Sequence, residues 1–248
     1  MTETAELSET TKNELRALGA DIVGFGDISE LPASAREGLP VGISVAVKYP
    51  KAVIRGISEL PTPEYREWYD RLNARLDEIV AGGARLLVGR GFKAIAQTRE
   101  RVGGGGAEYI TALPHKTVAT RAGVGWIGKC ALLVTKRYGS MIRLSSILTD
   151  APLNRAEPLN KSLCGECDNC ARACPAGAVS GKLWEVGVYR DEFFDPIKCR
   201  ETARERARRS FGGEITLCGK CIEVCPHTRR YLGTALAGGL RPVPRREV

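Results

Sequence analysis

The densest chemistry in the chain lies in "LCGECDNCARACPAGAV", positions 163–179. There Cys164, Cys167, Cys170 and Cys174 crowd together and a proline follows the last. A second run, "LCGKCIEVCPH" at 217–227, supplies Cys218, Cys221 and Cys225, again closing on Cys-Pro. The first reads C-x2-C-x2-C-x3-C-P and the second C-x2-C-x3-C-P. Cysteines two residues apart let one tight loop wrap three corners of an iron–sulfur cubane while backbone amides turn toward the sulfides. The x3-C-P cysteine begins to leave the loop, and proline, fixed in φ and lacking a donor, stiffens that exit. A two-cluster pattern would place a further cysteine three residues before Cys218, but Ile215 stands there. Cys199, in "DPIKCRETA", is the available eighth thiol.

Eight thiols suffice for two [4Fe–4S] clusters, and in two-cluster ferredoxins the fourth cysteine of each run ligates the other cluster. The spacing therefore assigns Cys164, Cys167, Cys170 and Cys225 to one cluster, and Cys174, Cys199, Cys218 and Cys221 to the other. Such an exchange ties the two halves together, so loss of metal should unfold the segment. The competing metal is zinc, since paired C-x2-C motifs also make tetrahedral four-thiolate sites, although zinc knuckles rarely carry a third cysteine two residues on. Cys130, the ninth cysteine, follows "GWIGK" and reads as a small buried hydrophobe rather than a ligand or nucleophile.

The 248 residues, 43% hydrophobic and 27% charged, suit a soluble globular chain of one large or two small domains. The opening "MTETAELSETTKNE" lacks the basic-then-apolar pattern of a secretory signal, and no apolar run is long enough for a membrane helix. A cytoplasmic location follows as the expectation, and there nine cysteines argue for metal before disulfides. The formal charge of +8 falls to about +4 once eight thiolates (−8) and two [4Fe–4S]2+ cores (+4) are counted. Basicity thus gives nucleic acid little support as a partner.

The elements that must position the thiols read as a mixed α+β chain. Residues 11–20 suggest a helix ending at Gly19, 21–27 a strand, and 41–50 a second strand with alternating Val41, Ile43, Val45 and Val47. Residues 62–91 carry a long helical pattern with Pro63 in the first turn, and 92–97 another strand. This order predicts a layered α/β domain over 1–158, for a cofactor or substrate, then a cysteine-rich domain over 159–235 and an unpacked tail over 236–248. Residues 103–106, "GGGG", mark a mobile loop, either a lid or plain surface. The run "RETARERARRS" (200–210) reads as a solvated helix face or an acidic partner's site.

The stretch "AGVGWIGKCALLVTKRYGSMIRLSSILTDAPL" (122–153), the opening "LRALGADIVGFGDISEL" and the double cysteine motif with isolated Cys199 together resemble the epoxyqueuosine reductase family. These are cobalamin-dependent iron–sulfur enzymes related to reductive dehalogenases. The likeness runs over most of the chain. It implies an N-terminal domain of nitroreductase-like fold able to hold a corrin ring, beside a ferredoxin-like domain whose clusters feed electrons to cobalt. Three features depart from the family. The family continues into a helical-repeat domain that helps grip tRNA, whereas this chain reaches Val248 soon after Cys225, as in short double-cluster relatives. The family's catalytic aspartate has no counterpart in "AEYITALPHKTVATR" (107–121), which offers Glu108, Tyr109 and His115 as proton donors. Cys130 stands where the family has Asn or His.

Gly123, Gly125 and Gly128 around Trp126, with Lys129 following, suit a tight loop where backbone approaches a cofactor, or else simple strand–turn packing. His227 after the last Cys-Pro suits a hydrogen bond to sulfide or backbone. The leading functional expectation is a reductase relaying single electrons through two clusters, with cobalamin or a substrate as acceptor and a ferredoxin or flavodoxin as donor. The alternative is a ferredoxin-type carrier or adaptor that docks on a larger redox or corrinoid system. A third reading makes the clusters structural staples.

Overall fold

The structure is a computed structural model and describes residues 2–103 and 110–234. Glu108, Tyr109, most of the GGGG run and the tail over 236–248 lie outside the described residues. The helices are α1 (Glu3–Ala17), α2 (Lys51–Arg55), α3 (Pro63–Gly89), α4 (Arg99–Val102), α5 (His115–Arg121), α6 (Asn169–Arg172), α7 (Pro196–Phe211), α8 (Lys220–Glu223) and α9 (Pro226–Leu232). The strands are β1 (Ile22–Asp27), β2 (Val41–Lys48), β3 (Ala94–Gln97), β4 (Trp126–Ile127), β5 (Leu133–Val134) and β6 (Ile142–Thr149).

The chain folds into two compact units that interleave in sequence. The first comprises residues 1–48, 71–125 and 143–160; the second comprises 49–70, 126–142 and 161–248. The contiguous division expected at 158/159 lies close to the last crossing, but it leaves residues 49–70 and 126–142 on the other side. The reason is packing. Lys220 Nζ donates to Ser58 O at 2.7 Å, and the N–H of Ser140 donates to Thr228 Oγ1 at 3.2 Å, so both segments are held by the cysteine-bearing region.

In the first unit a four-stranded sheet runs β1-β2-β6-β3. β1 pairs antiparallel with β2 from Ile22↔Ala46 to Asp27↔Val41, and β3 pairs antiparallel with β6 from Ala94↔Thr149 to Gln97↔Ser146. β2 is buried from Val41 to Val47. Its large aliphatics alternate with Gly42, Ser44 and Ala46, so one face is bulky and the other thin. The thin face admits α5: a Cβ on Gly42 would meet Val118 Cγ1 at 2.7 Å, and one on Gly26 of β1 would fall on the backbone of Arg121 and Ala122. Ile28, Leu39, Leu113, Val118 and Leu148 form a buried apolar cluster there.

α1 starts eight residues before the expected point, at Glu3 instead of residue 11. Thr2 caps it by accepting from the N–H of Ala5, and Glu3 and Glu6 sit favourably in its first turn. The apolar period is silent there because the inward positions are Ser8 and Thr11; Ser8 Oγ is spent on Thr4 O (2.6 Å) and the N–H of Asn154 (2.7 Å). β6 is not among the expected strands because its buried positions include Ser145, Ser146 and Thr149. These hydroxyls are satisfied locally: Ser145 Oγ donates to Gln97 O at 2.9 Å and Thr149 Oγ1 to Lys93 O at 2.7 Å.

The second unit has little regular structure. β4 and β5 form a two-residue antiparallel ladder, and Ile127, Ala131, Trp184 and Phe193 make its own apolar cluster. α7 is its long helix, begun by Asp195, which accepts from the N–H groups of Ile197 and Lys198, with Pro196 in the first turn. α6 and α8 have four residues each. Helices that short do not stand alone in water, so the loops around them need another source of order. Among the described residues no helix is long and apolar enough to cross a membrane.

Candidate metal centre

All nine cysteines lie in the second unit and all are free thiols. Cys170 rides on α6, Cys199 on α7 and Cys221 on α8, while Cys225 is the residue at which α9 begins. Local backbone turns toward the sulfurs. The N–H of Ala178 donates to Cys174 Sγ at 3.4 Å, the N–H of Asn169 to Cys167, and the N–H groups of His227 and Thr228 to Cys225. The Cys-Pro step explains the last pair, because Pro226 opens α9 and leaves its next amides aimed back at the residue before it.

The thiols fall into two neighbourhoods. Cys167 lies near Cys164 and Cys170, and Cys225, from the second motif, faces the same Cys164 and Cys170. Cys199 lies near Cys218 and Cys174, so the last cysteine of the first motif sits with the second motif. Cys221 lines the cavity that also holds Cys164, Cys167, Cys170 and Cys225, and it contacts Cys130. Burial pushes the Cys225 thiol up to about 12 and, with the charges of Cys218 and Cys174, the Cys199 thiol up to about 11. Burial likewise raises Cys167, while the Cys130 hydrogen bond and burial raise Cys170. Thiols so placed do not ionise unaided near neutral pH; bound cations would supply the compensating charge.

The loop after α5 completes this cavity. Trp126, 1% exposed, donates its indole N–H to Cys164 Sγ at 3.3 Å. Gly128 lines the cavity, and a Cβ there would press on Val134 Cγ2 at 2.8 Å with Cys164 Sγ at 3.5 Å. Lys129 also lines it and is 6% exposed, with no carboxylate partner among the described residues. Its charge lowers the pKa of Cys167 and Cys170. An unpaired buried ammonium costs several kcal/mol unless an anion faces it, and a thiolate-ligated cluster is such an anion. The donor set therefore fits iron–sulfur clusters. Among the described residues no three His, Cys, Asp or Glu side chains form a single-ion site.

Gly123 and Gly125 belong to the first unit and do not line this cavity. Gly123 is exposed with φ +63°, and a Cβ there would meet Glu157 O at 3.0 Å, which is a packing role. His227 stacks its edge against Trp126 (centroids 5.1 Å apart, 74°) and hydrogen-bonds the backbone of Lys136, leaving Nδ1 without a protein partner. His115, at the start of α5, shares a 2.8 Å hydrogen bond with Ser146 Oγ in the first unit. Burial, and then the charge of Arg143, lowers its pKa to about 4, so the ring is neutral at pH 7. Cys130 is buried, as expected of a small hydrophobe, but its thiol hydrogen-bonds Cys170 and Cys221 inside the cavity. The signal available in the sequence was the count itself, nine cysteines where eight suffice.

Residues 163–228 match the 4Fe–4S double cluster binding domain, so the cysteine-bearing segment has the pattern of an iron–sulfur module. More particularly, the chain is similar to epoxyqueuosine reductases. That of Synechococcus sp. (strain CC9605) is 36% identical over 135 residues, covering 54% of this chain and 41% of that protein. That of Escherichia coli (strain K12) is 32% identical over 115 residues, covering 46% of this chain and 30% of that protein. The chain thus spans less than half the length of these relatives. Among solved structures, the catabolic reductive dehalogenase NpRdhA superposes with a TM-score of 0.71 at 20% identity, over 92% of this chain and 32% of that one. An epoxyqueuosine reductase solved with an epoxyqueuosine-modified tRNA stem loop gives 0.59 at 19% identity, over 90% and 66%. Both likenesses show the fold.

Proposed function

We propose that this chain is an iron–sulfur oxidoreductase in which two [4Fe–4S] clusters relay single electrons toward an acceptor served by the first unit. Cys164, Cys167, Cys170 and Cys225 would hold one cluster, and Cys174, Cys199, Cys218 and Cys221 the other. The observation that carries this is the crossed neighbourhood of the thiols: Cys225 beside Cys164 and Cys170, and Cys174 beside Cys199 and Cys218. When bound, such clusters accept and release one electron at a time. The protein's share is to bury the thiols, aim backbone N–H groups at them and set Trp126 and Lys129 against the first group. Those donors favour the more reduced, more negative state.

The nitroreductase-like first domain and ferredoxin-like second domain belong to this proposal, as do a ferredoxin or flavodoxin donor and a corrinoid or redox-complex partner. Cobalamin belongs to it as one proposed acceptor, beside a substrate, and the titration below tests it. Two open grooves of the first unit are described, one of about 510 Å3 lined by Leu18, Gly82, Leu86 and Gly89 with Arg85 and Arg90, and one of about 380 Å3 lined chiefly by Asp77, Glu78, Arg85 and Glu100. Nucleic acid, set aside on charge alone, returns as a partner to test, because a structural neighbour was solved with a tRNA stem loop.

The carrier reading has one specific observation in its favour. His115, the described candidate for proton delivery, is neutral and engaged with Ser146. The test is anaerobic reduction of reconstituted protein followed by titration with cobalamin and, separately, with a one-electron acceptor. The reductase reading predicts that electrons leave the clusters and that cobalamin or a bound substrate is reduced with turnover. Oxidation by the acceptor with no cobalamin spectral change and no turnover supports the carrier.

A further inference from the structure

We infer that residues 57–61, a stretch with no cysteine, are a strap that positions three ligands of the second cluster, Cys199, Cys218 and Cys221. This rests on the iron–sulfur reading above. Three side chains of the cysteine-bearing region hold the strap, and each donates to one of its backbone carbonyls. Lys220 Nζ reaches Ser58 O at 2.7 Å, the Arg206 guanidinium donates to Glu59 O, and the Ser210 hydroxyl donates to Pro61 O. Two of these donors are on α7, where Cys199, Arg206 and Ser210 fall at i, i+7 and i+11 and so share one side of the helix. The strap therefore grips the side of α7 that carries Cys199. Part of the basic run over 200–210 is thus spent inward, on the chain's own carbonyls.

The turn between Cys218 and Cys221 supplies an independent contact. Its two intervening residues are Gly219 and Lys220. Lys220 holds Ser58, as above, and Gly219 is pressed by Ile57 and the nearby Tyr65. Gly219 caps α8 with φ +80°, and a Cβ there would fall 2.5 Å from Ile57 Cδ1 and 3.0 Å from Tyr65 Cε1. Both of those side chains are buried. Close approach as well as backbone conformation demands glycine here. Three of the second cluster's four thiols thus sit on backbone that the strap touches. A helix as short as α8 does not hold its own geometry in water, and the strap supplies the outside constraint that keeps these thiols spaced for one cubane.

The experiment follows anaerobic iron release to an Fe(II) chelator, with EPR of the reduced clusters on the same samples, for reconstituted wild type, C199A, R206M/S210A and I57V. C199A, holding only the first cluster, defines that cluster's release rate and signal. I57V deletes only Cδ1, the atom set against Gly219. In R206M/S210A the half of the iron that C199A lacks should leave about tenfold faster than in wild type, the worth of one to two hydrogen bonds. The other half should keep the C199A rate. I57V should show the same selectivity through the other contact, and the EPR signal altered in both variants should be the one missing from C199A. Wild-type rates and spectra in both variants overturn the inference. Equal acceleration of both halves also overturns it, since the strap would then be general packing. Wild-type protein that takes up no iron fails separately, by removing the cluster reading itself.

Discussion

The indole N–H of Trp126 donates to Cys164 Sγ at 3.3 Å. This single contact ties the β4 turn to the first thiol of the first cysteine motif. Trp126→Phe keeps most of the buried ring and deletes only the donor. Loss of one neutral hydrogen bond is worth about 1 kcal/mol, so one cluster should become harder to reduce by about 40 mV with iron retained. Redox titration followed by EPR checks this, and an unchanged potential would show that the contact carries no charge stabilisation.

The crossed pairing predicts which variants share a phenotype. Cys164→Ala and Cys225→Ala, 61 positions apart in sequence (225 − 164), should disturb the same cluster, and the double variant should be no worse than either single. Cys174→Ala and Cys199→Ala should form a second such pair. Each pair should leave about four irons in place of about eight. If Cys164→Ala pairs instead with Cys174→Ala, the ligands follow the linear motifs and the exchange is absent.

Removing iron should act on the two units unequally. The second unit depends on four-residue helices α6 and α8, whereas the first has a four-stranded sheet with a buried central strand. Chelation under anaerobic conditions should speed amide exchange in residues 161–234 while β1 and β2 stay protected, as read by hydrogen–deuterium exchange.

These elements also show what a sequence makes visible. β1, β2 and α3 were legible because their apolar spacing matches the faces they bury. Cysteine spacing was legible for a different reason, since metal ligation constrains residue type and interval together. α1 and β6 were obscured by inward-facing Ser8, Thr11, Ser145 and Ser146, whose polar side chains leave no apolar period; the Ser8 and Ser145 hydroxyls are satisfied by backbone. The placement of Trp126, Gly128, Lys129 and Cys130 beside the thiols depends on contacts between distant parts of the chain, such as Trp126 with Cys164, 38 positions on. No local pattern encodes that.

His115 gives the first unit a pH dependence. Its folded pKa of about 4 lies below the ordinary 6.5, first because the ring is buried, then because Arg143 opposes its charge, while Asp77 favours it. Between those values the unfolded chain binds the extra proton, so stability is fully present above pH 6.5 and falls as pH drops toward 4. The loss should reach about 3 kcal/mol. Anaerobic denaturant titrations at several pH values should show a falling midpoint for wild type and a flatter profile for His115→Gln. Equal profiles would mean that the ring is solvated.

The two-cluster assignment stands or falls on metal content. Iron and acid-labile sulfide, measured per chain after anaerobic reconstitution, should each come to about eight. About four of each, or stoichiometric zinc with no sulfide, would contradict it.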